Sequence, residues 1–133
     1  MNILHLTDLH YSQKNKNKKD KAPKALKLFL KQRIKKADII FFTGDLVFSG
    51  ENISDFNEAY SNYLVDIADR LNISTKNIII CPGNHDIHRN QEMEVITESL
   101  FGINPNDKID NFLKNENQKS ASLTNLNNYF NFI

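Results

Sequence analysis

Apolar residues along the chain fall into short runs, separated by stretches in which they recur every three or four positions. The runs are Asn2 to Leu6, Asp38 to Thr43 and Ile78 to Cys81. Each gives way abruptly to polar residues, which predicts short β-strands. The middle run, "DIIFFT", is apolar through its centre, as a strand covered on both faces would be. Between the first two runs, Leu26, Phe29, Leu30 and Ile34 repeat at helical spacing, with Pro23 suited to the first turn. That spacing predicts a helix ending near Lys36. Between the second and third runs, Phe56, Tyr60, Leu64, Ile67 and Leu71 form one stripe of a second helix, with Ser54 or Asp55 as its cap. Both stripes are expected to be core.

Beyond Asp86 the pattern is weaker. Glu92 to Phe101 and Asp107 to Lys114 are compatible with helices, separated by Gly102 and Pro105. The end of the chain carries apolar residues at Leu123, Leu126, Phe130 and Ile133. Strand, helix, strand, helix, strand predicts an α/β fold with a parallel sheet and right-handed crossovers. There is no internal repeat. Residues 1–133 read as a single domain, with a motif-bearing core over 1–90 and a helical or irregular tail over 91–133.

Composition narrows the setting. With 40% hydrophobic residues, 133 positions suffice for one core. The net charge of +1, from 17 basic and 16 acidic side chains, supplies no overall field for nucleic acid or a membrane. The single cysteine, Cys81, rules out an intrachain disulfide and is expected to be a small buried residue. The start, "MNILHLTDLHYS", has no basic n-region, and nothing approaches the roughly 18 apolar residues of a membrane span. A cytoplasmic location is the expectation. The stretch "QKNKNKKDK" from Gln13 to Lys21 reads as a solvated loop. Its lysines could guide an anion or nucleic acid, but no aromatic residue interleaves for base stacking.

The chemistry lies at the strand ends. The first strand runs into Asp8-Leu9-His10, the second into Gly44-Asp45 and the third into Gly83-Asn84-His85-Asp86. In a parallel sheet these ends share one rim, where ligands bind. Asp8 and His10 are two apart, so on extended backbone both face one side. Carboxylate and amide oxygens favour Mn²⁺ or Mg²⁺, and imidazole adds affinity for Mn²⁺, Fe²⁺ or Zn²⁺. Two such ions about 3.5–4 Å apart can hold a hydroxide between them and clamp a phosphoryl group.

These segments, D-x-H, G-D-x5-G (Gly44 to Gly50) and G-N-H-D, in this order, resemble the calcineurin-like metallophosphoesterases over roughly the first 90 residues. The resemblance implies the N-terminal half of an αββα sandwich. It implies that Asp8 and His10 hold one ion, Asp45 bridges two, and Asn84 holds the second through its amide oxygen. His85 is then no ligand; it stabilises the phosphoryl transition state or protonates the leaving oxygen. Asp86 hydrogen-bonds locally and orients that histidine. The implied reaction is hydrolysis of a phosphate mono- or diester with two divalent ions, Mn²⁺ favoured over Fe, Zn or Mg. The four histidines are His5, His10, His85 and His88, so the family's later histidines, a lone H and a G-H-x-H, are absent. The chain is therefore expected to be the N-terminal part of a catalytic domain, or one completed by a partner. The alternative is an incomplete module that serves as a binding or assembly surface. His5 reads as an ordinary strand residue, and His88 and Arg89 as a surface loop.

Overall fold

The computed structural model describes residues 1–15, 21–34, 36–88 and 114–133. Strands β1 (Ile3–Leu6), β2 (Ile39–Thr43) and β3 (Ile78–Cys81) form a parallel sheet in the order β1-β2-β3. Helix α1 (Lys21–Arg33) follows β1. After β2 comes a helical stretch made of α2 (Ile53–Ala59), a π-helical segment (Tyr60–Val65) and α3 (Asp66–Arg70). Two short helices close the chain, α4 (Glu116–Thr124) and α5 (Asn127–Phe132). The expected β-α-β-α-β parallel sheet is thus the observed one. The helix expected over 92–101, the one expected over 107–114 up to its last residue, and most of the lysine loop lie outside the described residues.

Strand order follows chain order, so right-handed crossovers place both intervening helices on the same face of the sheet. That face is the core. Ile40 and Phe42 of β2 are buried, and Leu4, Leu6, Ile78 and Ile80 pack beside them against Phe56, Leu64, Ile67 and Ala68. Among the described residues nothing covers the other face. Ile3 is 52% exposed and Ile79 41% exposed, while Ile39 and Phe41 between them are half-buried. The reading of β2 as covered on both faces therefore fails. A continuous apolar run is written the same way whether one face or two will be covered within this chain.

The same asymmetry corrects two further expectations. Cys81 points to the open face and is exposed, not buried. In the α1 stripe Leu30 is deeply buried, but Leu26 and Phe29 are exposed. The helix leans on its neighbour through Lys27, whose ammonium lies 2.6 Å from the Asp66 carboxylate and over the Tyr63 ring. The second stripe holds better, with Phe56, Leu64, Ile67 and Leu71 all buried. Its cap is Asn52 rather than Ser54 or Asp55; Asp55 sits buried in the first turn. In α5 the deeply buried residue is Tyr129, with Leu126 and Phe132 packed nearby and Phe56 stacked on Phe132 at 5.4 Å. Leu123, Phe130 and Ile133 are exposed.

Candidate metal centre

Beyond the strands the backbone does not simply turn away. The loop after β1 runs alongside the loop after β2, with Asp8 N–H donating to Gly44 O (3.1 Å), His10 N–H to Asp45 O (2.9 Å) and Tyr11 N–H to Leu46 O (3.0 Å). Phe48 N–H returns a bond to Tyr11 O at 2.7 Å. To follow this path Asp8, His10 and Asp45 adopt left-handed backbone, with φ of 58°, 49° and 58°. Non-glycine residues rarely sit there, though Asp and His tolerate it better than most. Each ends up at the rim that the strand order defines.

The loop after β3 docks on the loop after β2 through backbone. A Cβ at Gly83 would lie 2.2 Å from Asp45 Oδ1 and 2.9 Å from Gly44 Cα, so only glycine fits. His85 N–H donates to Asp45 Oδ1 at 2.9 Å. Asp86, fully buried, accepts from Val47 N–H (3.0 Å) and Gly83 N–H (2.8 Å). Its carboxylate thus fastens two loops together and orders the turn that carries His85. The bond that orients the His85 ring comes from elsewhere: Nδ1 lies 2.9 Å from the Phe48 carbonyl. A carbonyl only accepts, so Nδ1 carries the proton and Nε2 is the free ring atom. Neither the Phe48 carbonyl nor the Val47 amide leaves a side-chain signal in the sequence.

These loops bring His10, Asp45 and His85 together, each offering a ligand atom within 4.8 Å of the others. The His10 and His85 rings meet edge to face at 4.7 Å. His10 Nε2 lies 3.6 Å from Asp8 Oδ1 and 3.8 Å from Asp45 Oδ2. Such gaps are too long for hydrogen bonds, and a little wider than the separation of about 3–3.5 Å between neighbouring ligands on one ion. His10 Nδ1 is buried and has no hydrogen-bond partner among the described residues. Oxygen and imidazole donors from three loops suit a divalent cation of the Mn²⁺, Fe²⁺ or Zn²⁺ type. Asp8 is exposed beside His10, and Asn84 is exposed on the turn next to His85. His5 lies on β1 away from this rim, with Nε2 2.6 Å from Thr43 Oγ1.

A second polar group braces the first loop from below. The Tyr11 hydroxyl donates to Glu58, and Gln13 contacts the same carboxylate. Burial holds the Tyr11 hydroxyl well above the usual phenol range, and the Glu58 carboxylate adds to this, so the group stays a donor. Burial also raises the Asp55 carboxyl, which accepts weakly from Gln13 N–H at 3.4 Å.

Among the described residues, no helix is long and apolar enough to cross a membrane. The family model described as calcineurin-like phosphoesterase matches residues 1–133. A metallophosphoesterase-like protein of Bacillus subtilis (strain 168), YydB, is 28% identical over 110 residues. The match takes in 81% of this chain and 22% of that protein, so the chain spans about a fifth of the relative's length. The three-stranded parallel sheet, its helices on one face and its ligand-bearing loops at one rim fit the N-terminal half of such a domain. On sequence and fold alike, the chain belongs to the calcineurin-like phosphoesterases, a family of metal-dependent phosphoesterases.

Proposed function

We propose that this chain carries the N-terminal half of a binuclear phosphoesterase site that hydrolyses phosphate mono- or diesters. The observation that carries the reading is the meeting of His10, Asp45 and His85 from three separate strand-end loops. Asp8 and His10 would hold one ion, Asp45 would bridge and Asn84 would hold the second, with the remaining ligands supplied by further chain or a partner. Mn²⁺ is the favoured metal, with Fe, Zn or Mg as substitutes. Bound ions supply Lewis acidity toward the phosphoryl oxygens and acidify water at neutral pH.

The chain's own residues do the rest. Asp45 Oδ1 is fixed by His85 N–H, leaving Oδ2 turned toward His10. The Phe48 carbonyl holds Nδ1–H of His85, which leaves Nε2 as the ring nitrogen available for chemistry. When that ring is protonated, Nε2–H donates to a phosphoryl oxygen or to the leaving oxygen. Asp86 keeps the turn in place without touching the ring. An exposed free thiol at Cys81 suits a reducing, cytoplasmic compartment.

Calorimetric titration of Mn²⁺ into the metal-free chain tests this, with Asp45→Asn as control. The expected outcome is saturable binding that Asp45→Asn weakens at least tenfold, followed by Mn²⁺-dependent hydrolysis of p-nitrophenyl phosphate or its bis-ester once the missing ligands are restored. Equal binding by both chains would overturn the reading.

A further inference from the structure

The helical end of the chain grips both loops that carry the second and third motifs. Asn128 Nδ2 lies 2.8 Å from Gly50 O and 2.8 Å from Glu51 O. Two carbonyls can be satisfied together only by the two hydrogens of one amide nitrogen, so the side-chain orientation is fixed. Gly50 in turn has no room for a Cβ, which would lie 2.4 Å from Asp86 O. The place Asn128 holds is therefore the place where the second loop rests on the third. One residue along, the buried Tyr129 hydroxyl donates to Ile80 O at 2.9 Å, just before the third loop begins. Burial raises the Tyr129 hydroxyl, so it remains a donor. Four residues before Tyr129, Asn125 O accepts from His88 N–H at 2.9 Å, just after the same loop ends. Residues 125, 128 and 129 thus tether the second loop at its end and the third loop on both sides. Aromatic packing of Tyr129 and Phe132 on Phe56 anchors the tether to the core.

We infer that Asn128 is a positioning residue for the metal rim: from α5 it fixes the second motif loop against the third, and so sets the distance between Asp45 and His85. This rests on the metal-binding reading above. Outer-shell partners of metal ligands commonly contribute 10- to 100-fold to affinity, on the order of what is expected here. Asn128→Asp keeps the shape, removes both donors and turns an acceptor on two carbonyls. Asn128→Gln keeps the amide.

Two readouts on the full chain decide it: Mn²⁺ affinity by calorimetry and amide hydrogen exchange resolved over residues 39–51 and 78–88. In Asn128→Asp, the expected result is Mn²⁺ affinity down by about tenfold or more. Exchange should be faster at 44–51 and 82–88, with 39–43 unchanged, and Asn128→Gln should recover most of both. Unaltered exchange at 44–51 would overturn the inference whether or not Mn²⁺ binds. Unaltered affinity in a chain that binds Mn²⁺ would do the same while leaving the site reading intact. A uniform rise in exchange across β2, β3 and both loops, shared by Asn128→Gln, would make Asn128 a plain stability contact and also overturn it. If the unmutated chain and Asp45→Asn both fail to bind Mn²⁺, the site reading fails, and the exchange pattern alone still judges the tether.

Discussion

Asp8, His10 and Asp45 share an unusual backbone and the same small region. A left-handed residue with a Cβ costs about 1 kcal/mol, so three together are tolerated only because the bonds around them hold. Glycine does the complementary work at position 83, where a Cβ would strike the Asp45 carboxylate. Gly83→Ala should therefore lose about 1–3 kcal/mol in urea denaturation and displace Asp45 enough to weaken Mn²⁺ binding at least tenfold. A variant that matched the parent in both measurements would refute the contact. At this scale the sequence is most readable where function resides in side chains that sit close together in the chain. Asp8-Leu9-His10 and Gly83-Asn84-His85-Asp86 announce themselves. The Phe48 carbonyl that orients His85 does not, because every residue has a carbonyl. Asp86 was legible as a supporting residue, but that its two bonds go to backbone amides emerges only from the folded loops.

Among the elements, the π-helical segment between α2 and α3 stands out. Within it the Asn62 carbonyl accepts from Lys27, whose ammonium also pairs with Asp66. The Asp66 carboxyl is held below the usual carboxylate range, first by Lys27 and then by Arg70. A depressed acid stabilises the fold above its unfolded pKa of about 3.9. That contribution is lost as pH falls through the lower folded value. Lys27→Met should therefore narrow the drop in urea midpoint between neutral pH and about pH 2. An identical drop in the two chains would show that the pair does not couple to folding. Helical spacing revealed the α2–α3 stripe, while the apolar residues of the tail left its buried face undefined. Two stripes interleave there: the apolar one at Leu123, Leu126, Phe130 and Ile133 is mostly exposed, while Asn125 and Tyr129 are buried. Asn125 and Tyr129 carry polar atoms, so hydrophobicity alone ranks their stripe lower, and the break between α4 and α5 shifts the face once more.

At the scale of the whole molecule, the sheet face left uncovered by the described residues sets the surface behaviour. Ile3 and Ile79 lie exposed on it, on either side of Ile39 and Phe41. An apolar surface of this kind favours association. Ile79→Lys should shift the chain toward monomer in sedimentation at high concentration, with stability changed by no more than about 0.5 kcal/mol. A parent chain already monomeric under those conditions would remove the basis for this. The sequence could not show that one face is open, since covering it is a matter of topology. Register has a sharper effect. Ile3 pairs with Ile39 and Ile40 with Ile78, and the buried alternation of Ile40 and Phe42 locks these offsets. Slipping β2 by one residue would carry Asp45 about 3.3 Å along the sheet and reverse every side chain. That displacement nearly equals the gap between His10 and Asp45, so the greasy interior of β2 serves as the length standard against which the rim is cut.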